Sequence, residues 1–223
     1  MAEKKTIDKT IHTLVEAKKY SSLKAIFSTM EPWDIAALLN EEDASLLPLL
    51  LRLLPKDLAA ETFVELDPDQ QEALIGKLNN LELKAVMDEL FVDDAVDLVE
   101  EMPANVVQRI LAQANPEMRK EINEILQYPE NSAGSVMTTE YVKLSPGMTV
   151  GDAILRIRRT GVDKETIYTC FVTNERRVLE GVVTLKELLV SPDDMRVEEL
   201  METNVIHTST LEDQETAAQT MMK

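Results

Sequence analysis

Residues 79–102 read NNLELKAVMDELFVDDAVDLVEEM, and this 24-residue unit is the pattern on which the first half of the chain is built. Apolar side chains recur within it at a spacing of four, first at Leu83 and Met87 and then at Leu98 and Met102. Side chains four residues apart lie on the same face of a helix. The unit therefore predicts two short helices, each with one apolar face.

The same unit recurs with a period of 24 residues. Four columns of apolar residues follow it: Met30, Leu54, Leu78, Met102 and Leu126; Ile26, Leu50, Leu74, Leu98 and Ile122; Ile35, Ala59, Leu83 and Val107; Leu39, Phe63, Met87 and Leu111. Breaks fall at Pro32, Pro55, Asn79–Asn80 and Pro103. A unit this small cannot bury its apolar faces alone and must stack on its neighbours. We therefore expect a superhelical stack of short helices over residues 21–127.

The composition of the chain excludes several classes of protein. Asp and Glu number 41 against 23 Lys and Arg, a net charge of −18, so phosphate repulsion opposes binding to nucleic acid or anionic lipid. One cysteine, Cys170, rules out a disulfide framework, and we expect it, like Trp33, to be packed in a core. The N-terminus is polar and Lys-rich, and no apolar run approaches the roughly 20 residues of a membrane helix. We expect a soluble, cytosolic polypeptide.

The negative charge is concentrated in one part of the chain. Residues 57–130 carry a net charge of −13, which is about three-quarters of the excess. Self-repulsion of this size weakens the compact state unless something neutralises it, and bound divalent cations would do so. A solvated surface that keeps the protein soluble is the alternative interpretation.

Two carboxylates in this acidic region, Asp93 and Asp97, lie one helical turn apart. Asp93 is expected to be the N-cap of a helix, and Asp94 to complement the helix dipole. Carboxylates at i and i+4 repel each other unless a cation lies near both. The same region carries further carboxylates at Glu61, Glu65, Glu100 and Glu101. Because Mg²⁺ prefers oxygen ligands and often uses only one or two carboxylates, weak divalent-ion binding is the hypothesis for this surface.

The helical period stops at residues 128–134, which read YPENSAG. Short β-type runs then alternate with helices: strands at Tyr141–Leu144, Thr169–Val172 and Gly181–Thr184, and helices at Val150–Arg159 and from about Leu185. This alternation predicts an α/β module. The expected fold class is thus mainly α, a stack of short helices followed by a small α/β domain.

A second period, of 64 residues, runs through this half. Residues 136–142 match residues 200–206, and residues 150–153 match residues 214–217 at the same offset. The first copy extends to about Pro192, so a complete second copy would extend to about residue 256. We therefore expect the second copy to be truncated.

Several motifs of this half resemble cystathionine-β-synthase-type (CBS) modules: Met137-Thr138, the helix start Thr149-Val150 with Ala153, Phe171-Val172, and Gly181–Thr184 with Glu187. In that family tandem copies pack as pairs whose clefts bind adenosine nucleotides. The resemblance implies that Thr184 and Glu187 contact a nucleotide such as ATP, with Glu187 at the position where the family usually has an Asp. The alternative is an ordinary capping box at a helix N-terminus.

Together, the acidic helical repeat, the motif at residues 128–142 and the tandem CBS pattern resemble the cytosolic part of MgtE-type magnesium channels. In that family the soluble domains form a dimer beneath a membrane pore, and Mg²⁺ ions bound between the helical domain and the CBS pair hold the channel closed. The resemblance implies that the metal-binding positions are Glu61, Asp93 and Asp97 on the helical domain, and Asp213 and Glu215 on the second CBS copy.

These observations predict five segments: an N-terminal segment (1–20), the acidic helical repeat (21–127), a linker (128–136), a first CBS module (137–199) and the start of a second (200–223). The leading hypothesis is a cytosolic Mg²⁺ sensor that gates a pore domain of the same protein, at the cytoplasmic face of the membrane, as a homodimer through the CBS modules.

Two other functions remain open from the sequence. The helical half also resembles repeats of the flagellar motor switch protein family, which act by protein contact, so an interaction scaffold is one alternative. An adenosine-nucleotide sensor acting through the CBS half is the other. Enzymatic activity is not expected, because the chain has only two, widely separated histidines, no Gly-rich phosphate loop and no nucleophile–base spacing.

Overall fold

The structure, a computed structural model, describes residues 10–222, apart from the side chain of residue 163, so the first nine residues of the predicted N-terminal segment lie outside it. The first half of this range is helical. Its helices are α1 (residues 10–16), α2 (Tyr20–Phe27), α3 (Pro32–Leu39), α4 (Leu47–Leu51), α5 (Lys56–Val64), α6 (Pro68–Lys77), α7 (Asn80–Met87), α8 (Val92–Glu101), α9 (Ala104–Gln113) and α10 (Pro116–Ile125).

The starting points of these helices confirm the 24-residue period. Helices α3, α5, α7 and α9 begin at residues 32, 56, 80 and 104, and α6, α8 and α10 begin at residues 68, 92 and 116. Each unit therefore contains two short helices, as the apolar columns predict.

Local signals begin most of these helices. Proline is the first residue of α3, α6 and α10, where its fixed φ suits a helix and its missing N–H would have no intrahelical partner. Pro55 and Pro103 occupy the N-cap positions of α5 and α9. Helix α7 begins with a capping box, in which the Asn79 side chain accepts from the backbone N–H of Glu82 and the Glu82 carboxylate accepts from that of Asn79.

The apolar columns form the core of the stack. Leu50, Leu74 and Ile122 are fully buried, and so are Phe63 and Met87 of another column. Burial of each such side chain stabilises the fold by about 1.5–3 kcal/mol. The prediction for Trp33 is wrong: this side chain is 56% exposed, because the second position of α3 faces away from the buried column at Ile35 and Leu39.

The second half contains a three-stranded sheet in the order β1-β2-β3, formed by Tyr141–Leu144, Thr166–Thr173 and Leu179–Thr184. Strands β1 and β2 are parallel, and β2 and β3 are antiparallel. The helical elements are α11 (Val150–Thr160), a 3₁₀ turn (Gly161–Asp163), α12 (Leu185–Val190), α13 (Val197–Leu200) and α14 (Gln214–Met221). The predicted α/β module is confirmed, with β2 and β3 longer than expected.

Apolar side chains from the strands and helices of this module form one core. Val142 of β1, Val172 of β2, Val183 of β3 and Leu188 of α12 are at most 1% exposed. Cys170 is fully buried among them, as predicted, and burial raises the pKa of its thiol to about 11.

The 64-residue period also has a structural counterpart. Helices α11 and α14 begin 64 residues apart, and each is capped from the preceding residue: Thr149 accepts from the N–H of Asp152, and Asp213 from that of Thr216. The segment equivalent to β1, residues 205–208, is not a strand.

Two compact units make up the described chain. One contains the residues up to Leu90 together with Asp94–Lys120, and the other contains Phe91–Asp93 and the residues from Glu121 onward. Within residues 10–222, no helix combines the length and the apolar character needed to cross a bilayer.

Candidate cation and nucleotide sites

A small polar cavity of about 150 Å³ lies in the helical unit, at Asp97. Its lining comes from three helices: Val64 at the end of α5, Gln71 of α6, and Asp94, Asp97, Leu98 and Glu101 of α8. The three carboxylates follow one another at spacings of three and four along α8, which places them on one helix face. Glutamate and aspartate oxygens therefore dominate the polar surface of this cavity.

Gln71, at the wall of this cavity, is a polar residue whose side chain is almost fully buried, with only 5% exposed. Its Nε2 donates to the carbonyls of Phe63 at 3.0 Å and Val64 at 3.2 Å, in the last turn of α5. Such last-turn carbonyls have no intrahelical partner. The amide oxygen Oε1 is buried and accepts no hydrogen bond from the described residues. A buried acceptor left without a donor costs about 1–3 kcal/mol.

Gln71 was not among the site residues predicted from the sequence, although the repeat contains a signal for it. The positions one period before and after it are Leu47 and Ala95, and both are fully buried and apolar. A glutamine at a position that is otherwise apolar marks a buried polar group that needs hydrogen-bond partners.

Asp93 does not occupy the position predicted for it. Helix α8 begins at Val92, so Asp93 lies inside the first turn and is not the N-cap. The N–H of Val92 instead donates to Oε2 of Glu140 at 2.9 Å, 48 residues further along the chain. One carboxylate oxygen of Asp93, Oδ1, is buried without a hydrogen bond from the described residues. Partial burial raises the pKa of Glu140, and the nearby Glu121 and Asp93 charges act in the same direction.

The remaining metal-binding candidates are exposed. Glu61 lies on the surface of α5, and Asp213 and Glu215 lie at the start of α14. Asp213 is the N-cap of α14: its Oδ1 accepts from the backbone N–H of Glu215 at 3.0 Å and of Thr216 at 3.2 Å. Across residues 10–222, no three Asp, Glu, His or Cys side chains are grouped closely enough to hold a metal ion. The five predicted metal ligands therefore stay a prediction.

The YPENSAG motif has a structural role in the second unit. Ala133 and Gly134 donate their backbone N–H groups to Glu212 and Thr210 at 2.7 Å. Gly134 fits here because it has no side chain: a Cβ would lie 2.6 Å from the Tyr128 ring and 2.8 Å from the Thr210 carbonyl oxygen. This segment thus attaches the linker to the residues just before α14.

Thr184 and Glu187 form a capping box at the start of α12. Thr184 Oγ1 accepts from the Glu187 N–H at 3.2 Å, and Glu187 Oε2 accepts from the Thr184 N–H at 2.8 Å and its hydroxyl at 2.7 Å. These hydrogen bonds lower the pKa of the Glu187 carboxyl. The capping interpretation is confirmed. Both residues are also exposed, so the predicted nucleotide contact stays open as a second role.

Comparison with known families matches both halves of the chain. Residues 30–131 match the model of the MgtE intracellular N domain, and residues 133–193 match that of the CBS domain. The magnesium transporter MgtE of Thermus thermophilus is 35% identical over 204 residues, which cover 90% of this chain and 45% of that protein. MgtE of Bacillus subtilis is 26% identical over 205 residues, or 92% of this chain and 46% of the relative. The chain spans about half the length of these relatives.

Two solved structures share the fold. The crystal structure of the cytosolic domain of the Mg²⁺ channel MgtE in complex with ATP aligns with a TM-score of 0.88 and 32% identity, covering 96% of this chain and 88% of that one. The soluble part of a magnesium transporter aligns with a TM-score of 0.86 and 23% identity, covering 98% and 86%. The order of a helical repeat followed by a CBS module is thus found in both.

Proposed function

This chain belongs to the MgtE family and has the fold of its cytosolic domain, and we propose that it senses intracellular Mg²⁺ and gates a magnesium-conducting pore. The observation that carries the proposal is the location of the charge, a net −13 over residues 57–130. Repulsion within such a surface makes its stability depend on bound cations.

In the proposed mechanism, Mg²⁺ bridges acidic residues of the helical domain to acidic residues of the second CBS copy. The former are Glu61, Asp93 and Asp97, and the latter are Asp213 and Glu215. The cap at α14 uses Oδ1 of Asp213 for both of its hydrogen bonds, so the second carboxylate oxygen can take part in ion binding. When Mg²⁺ falls, the bridges are lost and repulsion separates the domains, so the equilibrium between the two arrangements reports ion concentration by mass action.

The proposed partners follow from this role. The chain acts on a membrane pore domain of the same protein, as a homodimer through its CBS modules, at the cytoplasmic face of the membrane. The relatives are named as transporters, and we propose no catalytic activity for this chain.

The test is a Mg²⁺ titration of the chain from zero to about 20 mM, a range that covers weak protein sites for divalent ions. The radius of gyration is measured by small-angle scattering and the thermal midpoint by calorimetry, with KCl holding the ionic strength constant. We expect the radius to fall and the midpoint to rise. Asp97→Asn should weaken both responses, whereas Asp69→Asn, which removes the same charge from an exposed position of α6, should not.

If the radius and the midpoint are the same at both ends of the titration, the sensor proposal is wrong. That result would favour the interaction scaffold, which needs no metal.

A nucleotide-binding role for the CBS half has one observation in its favour, the ATP bound to the structural neighbour. We propose that ATP binds near Thr184 and Glu187 and raises the thermal midpoint. The matched pair is Glu187→Asp, which introduces the residue usual in CBS modules, and Glu187→Gln, which removes the charge. The shift caused by ATP should be larger in the first variant than in the second. Equal shifts in both variants would exclude a role for this carboxylate.

A further inference from the structure

We propose that Trp33 of one copy of this chain inserts into an apolar pocket in the helical unit of a second copy, and that the two copies exchange this contact reciprocally. The pocket lies between α5 and α7. This interface is separate from the CBS modules through which the homodimer is proposed, and it does not depend on Mg²⁺.

The pocket has a volume of about 220 Å³, and most of the side chains around it are apolar. They come from α5, from α7 and from the segments that precede these two helices: Leu51, Leu54, Ala59, Leu78, Ala85 and Val86. An apolar cavity of about 150 Å³ is large enough to bind benzene. The pocket can therefore hold the ring of one aromatic side chain.

The 24-residue repeat explains why this pocket is open. One period after Ala85 the chain has Arg109, whose guanidinium donates to the backbone carbonyls of Ile75 and Leu78. These two carbonyls lie one period after two of the leucines that line the pocket. The Arg109 side chain thus reaches across the corresponding groove of the next unit, whereas the methyl group of Ala85 leaves its own groove unfilled.

The occupant is inferred from Trp33, the only tryptophan of the chain and a large side chain that is 56% exposed. Burial of an aromatic side chain favours association, and tryptophan is enriched at the centres of protein interfaces. Trp33 does not line the pocket of its own chain. A second copy can supply it.

The charges around the two surfaces are complementary. Glu31 and Asp34 lie on either side of the tryptophan in the sequence. Arg52 and Lys56 are exposed residues that line the pocket. Arg52 is paired with Glu82 at 2.7 Å, so Lys56 supplies the net positive charge of the pocket. Opposite charges on the two surfaces favour this docking and fix its orientation.

The positions of the two surfaces allow the contact to be reciprocal. Trp33 is the second residue of α3 and Lys56 is the first residue of α5, so both lie at the N-terminal ends of neighbouring helices. Because each copy carries both surfaces, a two-fold axis relates two identical contacts and closes the dimer. Residues 1–56 contain eight Lys and Arg against eight Asp and Glu, so this part of the chain adds no net repulsion between copies.

The experiment uses the fluorescence of Trp33, which reports on this contact alone because the chain has no other tryptophan. Emission of the whole chain is recorded from about 1 µM to about 1 mM, a range suited to small and weak interfaces. We expect an emission maximum at shorter wavelength than that of an exposed indole, with the shift complete at the highest concentration. Light scattering on the same samples gives the mass.

Two variants that add the same side chain test the pocket. Ala85→Leu fills the pocket, and Ala112→Leu places a leucine at an exposed position of α9 outside it. Ala85→Leu should abolish the shift or raise the dissociation constant at least about tenfold, and Ala112→Leu should change it by less than about twofold. Circular dichroism checks that both variants fold.

Charge reversal tests which side chains face each other. Glu31→Lys and Lys56→Glu should each weaken association by about three- to tenfold, because each places like charges at the contact. The double variant restores opposite charges with their signs exchanged and should regain most of the affinity. The Glu31 side chain makes no N-cap hydrogen bond, so its substitution removes no cap from α3.

The outcomes separate this inference from the proposed function. Emission that is the same at every concentration and in Ala85→Leu would overturn it and leave the pocket to a different partner. A shift that survives Ala85→Leu, equal effects of the two leucine variants, or no recovery in the double variant would also overturn it. Because these measurements contain no Mg²⁺, their failure leaves the sensor intact, and failure of the Mg²⁺ titration leaves the Trp33 contact intact.

Discussion

Helices α12 and α8 begin with the same chemistry but with partners at very different distances along the chain. At α12, the Glu187 carboxylate accepts the N–H of Thr184, three residues away. At α8, the Glu140 carboxylate accepts the N–H of Val92, 48 residues away. The pKa of Glu187 is lowered by its hydrogen bonds, whereas burial raises that of Glu140. Both carboxylates accept a backbone N–H, so the difference in the direction of their pKa shifts comes from the burial of Glu140.

The largest effect is expected at Gly134, in the segment that leads to Glu140 and lies six residues before it. Gly134→Ala would force a methyl group against the Tyr128 ring and the Thr210 carbonyl oxygen. We expect the free energy of unfolding to fall by about 2–3 kcal/mol, as for overpacked sites. Urea denaturation followed by circular dichroism measures this.

Gly76→Ala is the control for this variant. A Cβ at Gly76, inside α6, meets nothing within 4 Å, so this substitution should stabilise the chain by about 0.5–1 kcal/mol through helix propensity. Destabilisation by both variants would mean that glycine flexibility, and not the close approach at Gly134, matters.

Two substitutions of Glu140 distinguish the effect of its hydrogen bond on stability from the effect of its charge. Glu140→Ala leaves the Val92 N–H without its acceptor and should cost about 1–2 kcal/mol. Glu140→Gln keeps an acceptor oxygen and removes a partly buried charge that lies near Glu121 and Asp93, so it should raise the thermal midpoint at pH 7. A lower midpoint for both variants would show that the charge of Glu140 stabilises the chain.

The capping box formed by Thr184 and Glu187 at α12 should contribute about 1 kcal/mol to the free energy of unfolding. Thr184→Ala removes the hydroxyl that accepts from the Glu187 N–H, and loss of an N-cap side chain typically costs this amount. Thr149→Ala, at the start of α11, removes a cap that has no reciprocal glutamate and is the matched comparison. If the two losses are equal, the reciprocal bond of the box adds nothing measurable.

The smallest expected effect is the pH dependence, and it has opposite signs for the two glutamates. Because the pKa of Glu187 is lowered, its carboxylate stabilises the folded chain above the ordinary pKa of 4.5. This stabilisation is lost as pH falls through the folded-state pKa. Because the pKa of Glu140 is raised, its neutral carboxyl favours the folded chain below pH 4.5. This contribution to stability is lost as pH rises through the folded-state pKa.

At pH 7, therefore, Glu187→Gln should lower the thermal midpoint and Glu140→Gln should raise it. The difference for Glu140→Gln should vanish below the ordinary pKa of 4.5, where that carboxyl is neutral, and the difference for Glu187→Gln should shrink as pH falls through the lowered pKa of its carboxyl. Midpoints measured between pH 3 and pH 7 check this, and a difference that does not change with pH for either variant would assign its effect to packing.

Prediction from sequence succeeded where the deciding contacts are local. The 24-residue period located the helices, and Thr184 and Glu187 were recognisable as a box, because both patterns depend on neighbours within one or two helical turns. Prediction failed at Asp93, since the acceptor for the start of α8 comes from Glu140, which no nearby pattern reveals. Gln71 was missed for a related reason: its partners, Phe63 and Val64, belong to the preceding helix.

The repeat, the change to an α/β module, the position of the negative charge and the family could all be recognised in the linear chain. Each of these depends on periodicity, composition or short motifs, which a linear chain displays directly. Three features depend on packing: the cap that α8 takes from Glu140, the pairing of residues 133–134 with residues 210–212, and the cavity that Gln71 lines together with three carboxylates. These contacts join positions far apart in the chain, and it is packing of the helices and strands that brings them within hydrogen-bonding distance.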